Sequence, residues 1–458
     1  MSRIDKVNEL IAKRSGEESV GRTRLEKIFD ENSFVELGAC NEAAGVVTGF
    51  GTVDGRLVYG YCQESAVNTA HARKVENIYS LALKMGAPVV GILDSAGVVL
   101  EDGMDAFEAY GLLFKNQTMA SGIVPQISIV VGDCIGVESF VPVLSDFVFM
   151  TEEKAKMFMT SPSAFKGLEG KATTYQKLGG GKVHSESTGL VHCCCADEQE
   201  CFAQARKLIS ILPENNMDIP VDEITDDLNR EDESLNTIVP EDNSEIDVHY
   251  IISSVADNND FFEIHKDYAK NIVVGFVKLN GITTGVVANN GLLNVSATQK
   301  AGEFVNFCDA FNIPILTFTD AIGYEKTIED EHKVIEKYGA KLMYSFANAT
   351  VPKINVIIRN GIGNAYLLMN SKHIGADVVY AWPFASIALM DKDSSVNVLK
   401  MSADEYEKNA SPYAVASKGY VDGVIIPAST RKRILAAIEM LMSKREPQAS
   451  RKHSSIEF

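Results

Sequence analysis

The strongest constraint in this sequence is that it repeats itself. Gly49-Phe50 recurs as Gly275-Phe276, Gly55 as Gly281, Lys74 as Lys300, Pro88 as Pro314, Asp94 as Asp320 and Gly97 as Gly323, every pair separated by 226 positions. Pro125 with Pro352 and Gly136 with Gly363 are separated by 227, so the second copy carries one inserted residue. Gly, Pro and Asp at a fixed offset mark places where backbone geometry rather than packing chooses the residue. Two copies of one domain are expected, and 458 residues suffice for each to bury its own core.

The pattern within each copy is α/β. Ala87 to Asp94 and Ile127 to Gly132 are short apolar runs rich in β-branched residues, which predict buried parallel strands. Between them, about Asp105 to Ser121 carries apolar residues at helical spacing. Each copy is expected to run as a Gly-bounded hairpin, a helix, a strand ending in Asp, a Gly turn, a second helix, and a strand whose Gly turn opens a further helix. From Pro213 to Asp260 the sequence turns acidic and Asn-rich, with Pro220 and Pro240 interrupting it. The expected organisation is therefore a first domain over 1–215, an acidic linker over 216–260 and a second domain over 261–458.

Charge and composition exclude several classes. Sixty-two Asp and Glu against 43 Lys and Arg leave a net charge of −19, which repels a phosphate backbone, so no nucleic-acid partner is expected. No apolar run reaches the roughly 18 residues of a membrane span, and the polar N-terminus lacks a signal peptide's apolar core; a cytoplasmic location is the expectation. Of the eight cysteines, only Cys193-Cys194-Cys195 cluster, without the spacing of a zinc site or a disulfide framework. Buried reduced thiols and no metal are expected. His71, His184, His192 and His373 have no carboxylate partner at a telling spacing and are read as structural. Gly179-Gly180-Gly181-Lys182 lacks the spacing of a phosphate loop.

The chemistry is expected at the two glycine turns, Gly136-Val137-Glu138 and Gly363-Asn364-Ala365. Each should present unpaired backbone N–H groups at a helix N-terminus beyond the carboxyl end of a strand, where a developing negative charge is stabilised. That is the signature of an oxyanion hole, in duplicate.

The stretches Gly45 to Arg56, Leu83 to Ser95 and Ala120 to Ser128, together with Ala365 to Lys372, Gly375-Ala376-Asp377 and Ala381-Trp382-Pro383, resemble the carboxyltransferase subunit of biotin-dependent acyl-CoA carboxylases and decarboxylases. Within that family the stretches are similar to the propionyl-CoA carboxylase beta subunit and to the carboxyltransferase subunits of methylmalonyl-CoA and glutaconyl-CoA decarboxylases. The resemblance implies two tandem crotonase-like domains, the first holding an acyl-CoA and the second biotin on a separate carrier protein. It also implies a homo-oligomer, a trimer-based hexamer, whose sites each combine the first domain of one subunit with the second domain of another. A biotin carboxyl carrier protein, with a biotin carboxylase or a membrane decarboxylase subunit, would complete the complex.

Carried over by position, the thioester hole falls on Gly136 and Val137, and the biotin hole on Gly363, Asn364 and Ala365. Further contacts fall on Ser95, Ala96, Gly97, Gly323 and Tyr366. The family pattern at both turns is Gly-Gly-Ala; here Val137 adds a Cβ and Glu138 is expected to set a negative charge beside the first hole. The stretch Asp94 to Leu100 also departs from the family, and the loop from Met390 to Tyr406 is shorter. Three other readings stay open: transfer in the reverse direction within a membrane decarboxylase complex, a scaffold homologue without activity, and a hydratase or hydrolase using Glu138 and Asp133 as an acid pair.

Overall fold

The computed structural model describes residues 2, 4–6, 19–41, 44–170, 172–219, 223–240, 244–447, 450–451 and 455–456. Pro220 and the basic Lys452-His453 of the tail lie outside them. By its internal packing the chain divides into two compact units, Met1–Asn215 and Asn216–Phe458.

In the first unit, β1 (Val35–Leu37), β2 (Val46–Val53), β3 (Arg56–Gln63), β4 (Val89–Ser95), β5 (Gln126–Ile135), β6 (Phe147–Thr151) and β8 (Cys193–Cys195) lie side by side in that order, and β7 (Lys156–Phe158) pairs with the end of β5. The first three strands are antiparallel and the rest parallel. In the second unit β9 (Phe261–Ile264), β10 (Ile272–Leu279), β11 (Ile282–Asn289), β12 (Ile315–Ala321), β13 (Lys353–Ile362), β14 (Val378–Ala381) and β16 (Gly423–Val424) follow the same order, with β15 (Ser386–Ala388) paired to the end of β13. Both are mixed α/β units built on a largely parallel sheet.

Local chemistry explains why the two sheets match. The hairpins β2–β3 and β10–β11 turn on Asp54-Gly55 and Asn280-Gly281, all four at positive φ, as a tight two-residue connection requires. Asn68 and Asn294 cap the helices Thr69–Met85 and Val295–Ala310, each side chain accepting from a backbone N–H three residues on. Lys74 and Lys300 reach down to the carbonyls of Val46 and Ile272 at 2.6 and 2.8 Å, at the starts of equivalent strands. Asp94 and Asp320 accept from the backbone N–H of Asp133 (3.3 Å) and Asn360 (3.0 Å) on the neighbouring strand.

The acidic stretch 216–260 contributes side chains to the second unit's core. Leu235, Val248, Ile251, Ile252 and Val255 are buried in the second unit's core, four of them on the helix Val248–Val255. Arg431, almost fully buried, anchors this region by donating to Val255 O and to Asp257. The thiols also divide: five are buried, Cys193 and Cys194 half-buried, and Cys40 exposed. Among the described residues no helix is long and apolar enough to cross a membrane.

His192 is half-buried, its Nδ1 accepting from Val148 N–H at 3.0 Å, and His71 is fully enclosed. Burial holds both imidazoles down at about 3, against an ordinary 6.5. The unfolded chain binds protons from about 6.5 downward while the fold resists them, so stability is full above that value and lost as pH falls toward 3. Thermal melts from pH 7 to 4 should show the melting temperature dropping, and His192→Asn, which keeps an acceptor for Val148, should flatten the drop. Identical slopes for the two proteins would contradict this.

Candidate active site

The first turn begins where β5 ends. Gly136 has φ +66°, and a Cβ placed on it would meet nothing within 4 Å, so conformation rather than crowding asks for glycine. A single 3-10 turn, Gly136–Ser139, follows, fixed by Ser139 Oγ donating to Gly136 O at 2.7 Å. The Val137 N–H lies in the first turn of this short helix, where amides have no partner within the helix. Among the described residues no side chain or loop carbonyl accepts from it. Beside it runs the turn after β4: Ser95 pairs with Cys134, and a Cβ on Gly97 would come within 3.1 Å of Ile135 O. Ser95 and Gly97 are themselves buried, Gly97 N–H donating to Ser95 Oγ at 3.2 Å, so Ala96 is the exposed member of the three.

The second turn repeats this. Gly363 has φ +61° at the end of β13 and opens the helix Gly363–Leu368. The N–H groups of Asn364 and Ala365 belong to its first turn and meet no side-chain or loop acceptor among the described residues. Gly323 lies in the turn after β12, its carbonyl accepting from Leu293 N–H at 3.1 Å, just as Gly97 O accepts from Val67 N–H at 2.9 Å.

A cavity of about 530 Å³ opens on the second turn, lined by Gly363, Asn364, Tyr366, Leu389, Met401 and Tyr406 among others. Tyr366 is only 6% exposed, its hydroxyl meets no partner among the described residues, and burial pushes its pKa to about 12. The outer wall comes from the helices Lys392–Leu399 and Ala403–Ala410, in and just beyond the loop whose shortening the sequence had shown. Leu399, Met401, Tyr406 and Ala410 were therefore missed, because helices this short hold too few apolar positions to show a face.

Titratable side chains near the first turn are committed elsewhere. Asp133 pairs with Lys156 at 3.1 Å, Asp94 with Arg24 at 2.9 Å, and the His184 ring bonds Met157 O and Thr188 Oγ1 at 2.7 and 3.0 Å. Glu138 does not set its charge beside the hole as expected: it is wholly buried, its carboxyl bonded to Gln63 and Tyr110. The Glu138 and Asp133 acid pair is thus not formed, because one carboxyl points into the core and the other is held by lysine. Gly179 serves close packing, since a Cβ there would lie 2.0 Å from Met157 O, and Lys182 pairs with Glu152. Among the described residues no cluster of His, Cys, Asp or Glu could hold a metal. What the arrangement offers is a set of fixed amide dipoles at each turn.

The model of the carboxyl transferase domain family matches residues 13–456. The chain belongs to that family. A methylmalonyl-CoA decarboxylase alpha subunit from Veillonella parvula is 40% identical over 95% of this chain and 92% of its own length. The carboxyltransferase subunit of propionyl-CoA carboxylase from Haloferax mediterranei is also 40% identical, over 90% of this chain and 85% of its own. Among solved structures, the transcarboxylase 12S hexamer core, crystallised with methylmalonyl-CoA and methylmalonic acid bound, superposes with a TM-score of 0.95 at 35% identity, covering 100% of this chain and 99% of that one. In this carboxyl transferase chain the glycine-led turns stand at the ends of β5 and β13, in sheets with the same strand order.

Proposed function

We propose that the chain is a carboxyltransferase subunit that moves a carboxyl group between biotin, held on a separate carrier protein, and the α-carbon of an acyl-CoA. The observation that carries this is the pair of glycine-led turns with open amides. The transfer develops negative charge on a thioester oxygen and on a ureido oxygen, and it needs one donor site for each. The domain over 1–215 takes the acyl-CoA, with Gly136 and Val137 at its hole and Ser95, Ala96 and Gly97 flanking it. The domain over 261–458 takes biotin, with Gly363, Asn364 and Ala365 at the hole and Gly323 and Tyr366 beside it. Matched hairpins, caps, lysines and aspartates support the view that both are crotonase-like copies of one ancestral domain.

The residues of the second turn fit biotin. An apolar cavity with one unpartnered buried hydroxyl suits a fused, mostly apolar ring bearing a polar oxygen. Bound there, biotin supplies the nitrogen that carries and releases the carboxyl group. The protein's part is to hold the two oxygens, keep water from the reacting carbon and leave no side chain competing for the α-proton. A trimer-based hexamer in the cytoplasm, served by a biotin carrier and by either a biotin carboxylase or a membrane decarboxylase subunit, completes the proposal. The same amides serve transfer in both directions.

Purified protein incubated with free biotin and malonyl-, methylmalonyl- or glutaconyl-CoA should release carbon dioxide from at least one of them in a biotin-dependent manner. Release from none would sink the proposal.

A further inference from the structure

The two turns differ sharply behind their third residue. In the second turn that residue is Ala365, 1% exposed, whose methyl group ties the turn to nothing polar. In the first it is Glu138, 0% exposed, and its carboxyl makes two short bonds: Oε1 accepts from Gln63 Nε2 at 2.7 Å and Oε2 from Tyr110 OH at 2.6 Å. Gln63 ends β3, and Tyr110 belongs to the helix Asp105–Ala120, so one side chain ties the turn to two elements distant in sequence. Cys134 on β5 donates weakly to Glu138 O at 3.5 Å. Burying a carboxyl is costly unless donors satisfy it, and here two do. The residue after the open amide is thus clamped in this chain where an alanine would leave it to packing alone.

We propose that Glu138 is the positioning residue of the first oxyanion hole, its clamp on Gln63 and Tyr110 fixing where the Val137 amide points and so setting the rate at the thioester end. The inference rests on the reading of that turn given under the proposed function. A displacement of about 1 Å in such a donor can cost roughly 100-fold in rate, and Val137 is the immediate neighbour. Charge enters as well. Burial raises the carboxyl's pKa above the ordinary range, opposed by the Tyr110 and Gln63 donors. The titratable groups facing it are Tyr110 on its helix, Tyr61 on β3 and Cys134 on β5, with Asp133 beyond Cys134, and none is a cation. With no cation facing it, the carboxyl is held in the clamp by its two donors alone.

The test uses the full-length protein in biotin-dependent decarboxylation of its best thioester. Glu138→Ala should lower kcat roughly 10- to 100-fold with KM for the thioester within a few-fold. Glu138→Gln keeps the clamp, because Gln63 Oε1 lacks a partner and can accept the new N–H group. It should stay within a few-fold of wild type in both kcat and KM. Wild-type kcat in a folded Glu138→Ala protein, or a Glu138→Gln protein as slow as Glu138→Ala, overturns the inference and leaves the carboxyltransferase reading standing. If Glu138→Ala does not fold, Tyr110→Phe decides: it removes one of the two bonds and should lower kcat several-fold at unchanged KM, and an unchanged kcat overturns the inference. A wild-type protein inert toward every thioester overturns the functional reading and the inference together.

Discussion

Val137→Pro is expected to lower biotin-dependent decarboxylation roughly 100- to 1000-fold, the usual cost of losing one oxyanion donor. Proline is the one residue that deletes the amide, and it does so here with little harm to the fold. The Val137 N–H is not used by its own short helix, and proline is tolerated in a helix's first turn. The restriction that proline places on the preceding residue falls on Gly136, which has no Cβ and so escapes the side-chain part of that clash. Val137→Gly supplies the control: it removes the half-buried isopropyl group, keeps the amide and should stay within a few-fold of wild type. Asn364→Pro, also preceded by a glycine at positive φ, should show a loss of similar size at the biotin end. Should Val137→Pro turn over like wild type while retaining its melting temperature and assembly, that amide does not hold the thioester oxygen.

Much of this was legible because the repeated residues each solve a backbone problem. Asp94 and Asp320 recur because a strand amide beside each needs an acceptor; Lys74 and Lys300 recur because carbonyls at the starts of equivalent strands need a donor. Glycine before Val137 and Asn364 recurs because only positive φ turns the strand into a helix there. Other features were hidden for equally physical reasons. Glu138 sits in a single 3-10 turn, too short for any periodicity to show which way it points, and a carboxylate is by default placed outside. The helix Val248–Val255 was masked by its acidic neighbours, although Val248, Ile251, Ile252 and Val255 follow the i, i+3, i+4, i+7 rule. Averaged composition read a linker where the pattern of four positions read a core helix. The cavity by Tyr366 is walled by helices of eight residues or fewer, whose faces are set by what they pack against rather than by their own repeats.

If each site combines the first domain of one chain with the second domain of another, two dead variants should rescue each other. A Val137→Pro chain keeps an intact second turn, and an Asn364→Pro chain an intact first. Co-expressed in equal amounts, they assemble at random, and about a quarter of the composite sites then receive both intact halves. Activity should recover to roughly that share of wild type, far above either variant alone by the losses argued above. Mixing the two after assembly should restore nothing until the oligomers exchange subunits, so recovery should follow the exchange rate. A site contained within one chain gives the opposite result: every chain carries one broken turn, and no mixture exceeds the mean of its parts. The experiment therefore reads the origin of the two turns without requiring the thioester to be identified beforehand, because any substrate the wild type decarboxylates will serve.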